Sequence, residues 1–273
     1  MTTTLLLHEF RRTRGTVSAV LGGAALVVVA GSLLALTRWP LLATLGAVAA
    51  FAAVAALLPV LCLALGVQYW RSAYGRGGYL THSLPVRGST IYAVRLLHGL
   101  IVSVVSVAVG AALLLLPAAA ALAHEAPAGT GAAGYVLETA RRGLEVANPL
   151  VVAAIAVSIV LATWGGLVCF YFAASLGSGP RLARLGPAGP IVVYLVLYVV
   201  LQVLFFLGIV ALPYGAHLDG GALRIVPMDL WHAGRTSGVS DPMPLGFLPV
   251  AALAGIVLVG WTARAWNRGV SLR

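Results

Sequence analysis

Six long stretches without an acid or an arginine constrain this chain more than any other feature: Val17–Leu36, Leu41–Val67, Leu96–Leu122, Leu150–Leu176, Ile191–Leu212 and Leu245–Ala263. A helix rises about 1.5 Å per residue and the hydrocarbon core of a bilayer is about 30 Å thick, so about 20 apolar residues cross it. In lipid the backbone has no water to bond, and a helix satisfies its polar groups within one segment. The expected fold class is therefore all-α: a polytopic membrane helix bundle with about six transmembrane helices at 17–36, 41–67, 96–122, 150–176, 191–212 and 245–263.

Composition excludes a soluble alternative. Only 9% of the 273 residues are charged, against about 25% in soluble domains. The net charge of +10 raises the question of nucleic acid, which binds cations clustered on one face. Here the arginines are scattered between apolar runs, as befits cytoplasmic loops beside an anionic leaflet, and no nucleic-acid partner is expected. The 32 glycines suit helices packed closely in lipid. Cys62 and Cys169 lie inside apolar stretches with no ligand at metal spacing. They read as packing residues, and no metal site is expected.

Orientation follows from the arginines, since the chain has no lysine. With the N-terminus inside, Arg38, Arg141, Arg142, Arg224 and Arg235 fall outside, leaving 12 of the 17 inside. Both termini are therefore expected to be cytoplasmic. Aromatic residues near span ends read as interfacial belts: Trp39 and Tyr214 outside, Tyr69, Trp70, Tyr92, Trp261 and Trp266 inside. Trp164 is the exception, lying mid-span. Arg11–Arg14 before an apolar run also has the outline of a signal peptide, but the run exceeds a usual signal core and the second span follows at once.

Outside the spans, residues 1–15 mix Leu5, Leu6, Leu7 and Phe10 with Glu9, Arg11, Arg12 and Arg14, the pattern of an interfacial amphipathic helix. The inner loop 71–90 is too apolar for a solvated turn. Leu80 and Leu84 share a helical face, Pro85 would end that helix, and Ser89 or Thr90 would cap the next.

Within this loop, Gly78-Tyr79-Leu80-Thr81-His82-Ser83-Leu84-Pro85-Val86 followed by Arg87 resembles the coupling helix of permease subunits of type-2 ATP-binding-cassette exporters. The N-terminal Leu5-Leu6-Leu7-His8-Glu9-Phe10-Arg11-Arg12 is similar to that family's amphipathic helix, and six spans with both ends inside is its usual plan. The sequence departs from the family at Gly77, where an acid is common. The resemblance implies a permease that exports a hydrophobic or amphipathic substrate across the cytoplasmic membrane. It further implies a second permease copy or similar chain, and an ATPase subunit contacted by Arg76, Tyr79, Leu80, His82, Leu84, Pro85 and Arg87.

The missing lysine then has a consequence. A P-loop needs its lysine on the nucleotide phosphates. No cofactor is therefore expected on this chain, which should not itself be an enzyme: ATP and Mg belong to the partner ATPase. Within the spans, Gln202 is the candidate for the substrate pathway. His98 reads as a snorkelling or capping residue at the inner end of the third span.

Two other readings compete. A rhomboid-like serine protease has a candidate nucleophile in Ser178 of Gly177-Ser178-Gly179, but it needs a base within reach, and no histidine lies mid-span. A non-transporting membrane assembly factor makes no specific demand on the sequence. On the outer side, 137–147 reads as a surface amphipathic helix, and 216–244, with His217, Asp219, Asp229, His232 and Asp241, as a solvated loop without ligand spacing.

Overall fold

Each apolar run lies, to within two residues, in one long helix of a computed structural model that describes residues 2–37, 39–75, 78, 86–127, 131–146, 148–180, 182–219, 222–228 and 242–267. The helices are α1 (Thr2–Ala35), α2 (Pro40–Ala73), α3 (Gly88–His124), α4 (Ala132–Val146), α5 (Pro149–Gly177), α6 (Ala188–Ala211) and α7 (Phe247–Asn267). All except α4 are long and apolar enough to cross a membrane. The chain is a polytopic helix bundle, and its exposed leucines and valines are the surface that lipid covers.

At 34 and 37 residues, α2 and α3 reach about 51 and 55 Å at 1.5 Å per residue, well beyond the hydrocarbon core. Pro59 and Pro117 lie inside these two helices without ending them. Pro249 falls in the first turn of α7, where a missing N–H costs no intrahelical bond. Asn148 caps α5, its side chain accepting the N–H of Leu150.

The segment expected as an interfacial amphipathic helix, 1–15, is helical and continuous with the first apolar run: α1 runs from Thr2 without a break. Its charged residues do not interrupt it because Glu9 is matched internally, accepting from Arg12 one turn on at 2.7 Å.

Two compact units are present. The first comprises Met1–Gln68, Val94–Ala147 and Ala154–Leu167. In it α1 and α2 approach so closely that a Cβ on Gly31 would lie 2.6 Å from the Gly46 carbonyl oxygen. Glycine permits that contact, and dispersion between the backbones replaces the hydrophobic drive that lipid abolishes. Trp164, anomalous as a belt residue, donates its indole N–H to the Leu96 carbonyl at 3.0 Å.

The second unit comprises Tyr69–Ala93, Asn148–Ala153 and Val168–Arg273. It holds α6 packed on α7, with Gly208 against Gly246. It also holds a small antiparallel sheet in the order β2-β1-β3, from β1 (Tyr214–Asp219), β2 (Ala222–Pro227) and β3 (Met243–Pro244). Residues 216–244 were expected as a loop, so this sheet is a correction. Alternation of apolar and polar residues from Gly215 to Asp219 is too short to stand out from a Gly- and Asp-rich stretch, yet six residue pairs join β1 and β2.

Candidate functional site

The segment 71–90, which begins in the last turn of α2 and ends in the first turn of α3, is held at both stems by the end of α7. On the incoming side, Tyr69 is almost fully buried in the last turns of α2. Its ring stacks on Tyr171 with centroids 4.1 Å apart, and its hydroxyl pairs with Ser175 at 2.8 Å. The same hydroxyl accepts the indole N–H of Trp266 at 2.7 Å. Tyr74, a residue past α2, meets both Tyr69 and Trp266 edge-on.

On the outgoing side, α3 begins at Gly88, and a Cβ there would lie 2.4 Å from the Trp266 carbonyl oxygen. The next N–H, on Ser89, is accepted by Asn267 Oδ1 at 3.0 Å. That bond takes up one of the orphan donors of a helix start, a task expected of Ser89 or Thr90 side chains. Two successive residues of α7, Trp266 and Asn267, thus hold the two ends of one loop.

Of the residues assigned to the ATPase contact, Arg87 is described. It is exposed, and its carbonyl accepts the N–H groups of Thr90 and Ile91 at the start of α3. Arg76, Tyr79, Leu80, His82, Leu84 and Pro85 lie outside the described residues. Gln202 is exposed midway along α6, so its amide faces outward from this single chain.

A second polar centre, which sequence reasoning missed, lies in the first unit. Glu9 forms an ion pair with Arg95 of α3, Nε to Oε1 2.9 Å, as well as accepting from Arg12, and both Glu9 and Arg95 are buried. Beside them Thr13 Oγ1 pairs with His98 Nε2 at 3.0 Å, and Phe10 packs edge-on against the His98 ring. Gln68 Nε2 donates to the Arg12 carbonyl at 2.9 Å. His98 is therefore buried and bonded rather than snorkelling, because Thr13 offers it a partner inside the protein. The cluster ties α1, α2 and α3 together within that unit. The available signal was that Glu9 is the one acid on the side rich in arginine.

Tyr69, Tyr92 and Trp266 likewise differ from the belt expected of them. All three are buried, and the polar tips of Tyr69 and Trp266 satisfy each other. Trp39, Tyr214 and Trp261 remain exposed, as belt residues are. Ser178 Oγ accepts the Trp70 indole N–H at 3.0 Å. An indole donor cannot take the serine proton, so this partner does not activate a nucleophile. Comparison with protein-family models, with curated proteins and with solved structures finds no match for the chain.

Proposed function

We propose that the chain is the membrane-spanning permease subunit of an ATP-binding-cassette exporter in the cytoplasmic membrane. It moves a hydrophobic or amphipathic substrate with energy from a separate ATPase subunit. The observation that supports this reading best is the double anchorage of the 71–90 loop by Trp266 and Asn267. A loop that receives force from a partner passes it on only if its stems are fixed to the helices that must move. A mere tether between two spans needs no such fixing. The coupling sequence Gly78–Val86 lies between those two stems.

In this reading the ATPase docks on Tyr79, Leu80 and Leu84, with Arg76, His82, Pro85 and Arg87 around them. A second permease copy or a similar chain completes the pathway, and Gln202, outward-facing in one chain, is where that neighbour or the cargo meets α6.

The test is isolation of the tagged chain from its own membrane in mild detergent, followed by mass and ATP-hydrolysis measurements. The expected result is a complex of two permease chains with two P-loop ATPase chains, hydrolysing ATP that the permease alone does not. Export by the chain reconstituted by itself, with no nucleotide-hydrolysing partner, would overturn the proposal.

A further inference from the structure

A groove of about 700 Å³ opens in the first unit between the ends of α1, α3 and α4. Val29 and Leu33 of α1, Ala119 and Ala123 of α3, and Ala133 and Ala140 of α4 line it, and among the described residues Ser32 is the one polar residue in its wall. Space lined in this way stays free of water, which needs several polar partners to settle. Leu33 and Leu137, at 64% and 73% exposure, leave it open at the side to whatever surrounds the bundle.

Ser32 makes the groove more than a gap in the packing. It is 7% exposed, and its Oγ has no hydrogen-bond partner among the described residues. Thr13 and Ser18, on the same helix, both donate back to a carbonyl of the preceding turn. A buried hydroxyl left without that bond is costly unless something else accepts from it.

Its depth is fixed by its neighbours. Ser32 lies three residues before the end of α1, or about 4.5 Å at 1.5 Å per residue. At that end the His124 ring hydrogen-bonds the Ala35 carbonyl. Across the opening, α4 turns Val136 and Ala140 to the groove and carries the exposed ion pairs Arg142–Glu138 and Arg141–Glu145. A helix with one apolar and one charged face marks the membrane-water boundary, so Ser32 lies just beneath that boundary.

We propose that this groove holds one acyl chain of an ester-linked glycerophospholipid from the adjacent leaflet, with the Ser32 hydroxyl donating to the ester carbonyl. The hydrocarbon matches the apolar walls, and the single donor matches the single acceptor that each chain brings. A peptide would bring a backbone polar group at every residue to a wall that offers one hydroxyl. A helix from a second copy would have to bring a carbonyl or a polar side chain to that one point of the wall, whereas every ester-linked chain carries its acceptor at the end of a purely apolar tail. The inference depends on the chain's being a multi-pass membrane protein and not on the transport reading.

The test uses the full chain, delipidated in detergent, with a diester phosphatidylcholine bearing a photoreactive group on one acyl chain and its diether analogue, which lacks the carbonyls. Crosslinks should map to 29–36, 116–123 and 132–140, and the diester should bind about five- to tenfold more tightly than the diether, the worth of one hydrogen bond. Ser32→Ala should abolish that preference and leave the delipidated protein at least as stable, since it removes an orphan hydroxyl. Ala140→Trp and Ala133→Phe, both at exposed positions on α4, should fill the groove and eliminate the crosslinks. Equal diester and diether affinities in the wild type, or crosslinks unchanged in both filled variants, would overturn the proposal. Loss of a dimer with unchanged lipid binding in those variants would also overturn it, by assigning the groove to a second copy.

Discussion

Trp266 donates its indole N–H to the phenol oxygen of Tyr69 at 2.7 Å, across 197 residues of sequence. The bond closes a buried ring of aromatic side chains in which Tyr69 also stacks on Tyr171 and pairs with Ser175. Because Tyr69 lies in the last turns of the helix that enters the 71–90 segment and Asn267 meets the helix that leaves it, one helix end governs both stems.

Disturbing that clamp should be measurable without any partner. Gly88→Ala places a Cβ 2.4 Å from the Trp266 carbonyl oxygen, where backbone has to shift. It should destabilise the purified protein by about 1–3 kcal/mol, the usual cost of overpacking. Trp266→Phe should cost about 1 kcal/mol for the lost hydrogen bond, beyond any packing change. Combined with Tyr69→Phe it should cost less than the sum, because both changes remove the same bond. Thermal unfolding in detergent checks all three, and strict additivity would separate the two residues energetically.

The buried Glu9 cluster makes a sharper prediction. Glu9→Gln leaves the Arg95 guanidinium buried without its carboxylate, which should cost about 3–5 kcal/mol. Glu9→Leu with Arg95→Met removes both charges at once and should recover most of that loss. Arg12 is partly exposed and retains its own hydration. A double variant as unstable as Glu9→Gln alone would mean that the pair serves something other than mutual neutralisation.

Orientation can be read by chemical labelling. Ser178, just past the end of α5, is a poor site because its oxygen is engaged by Trp70. Leu185, between α5 and α6, is 47% exposed, and Ile225 of β2 is 67% exposed. Single cysteines at these two positions, in a background with Cys62→Ala and Cys169→Ala, should react with an impermeant thiol reagent in intact cells at Ile225→Cys only. Labelling of Leu185→Cys would invert the topology.

How much of this was legible beforehand depended on range. The spans were, because an uncharged run of 20 residues has few alternatives in water or lipid. So was α4, whose acids and arginines recur at the four-residue spacing that the Arg141–Glu145 and Arg142–Glu138 pairs realise. The Glu9 cluster was not: its partner Arg95 is 86 residues away, and a lone acid among arginines looks like part of a solvated tail. Trp266 and Tyr69 looked like belt residues because an amphipathic aromatic ring suits an interface and a buried polar cluster equally. The β1–β2 pairing was hidden for the same reason, since strand pairing needs a partner that no local pattern specifies.

Contact between the 71–90 segment and an ATPase is the central claim of the proposed function. Replacing Leu80 and Leu84 together by aspartate would set unpaired charges into an apolar docking groove, at a cost of several kcal/mol to binding. Both residues lie outside the six apolar runs of the sequence, so insertion should be unaffected. The decisive measurement is ATPase retained per permease chain when the double variant is purified from membranes alongside the wild type. The expected result is normal membrane abundance, ATPase lost from the purified complex and export abolished. Normal retention and normal export by the correctly inserted double variant would contradict it.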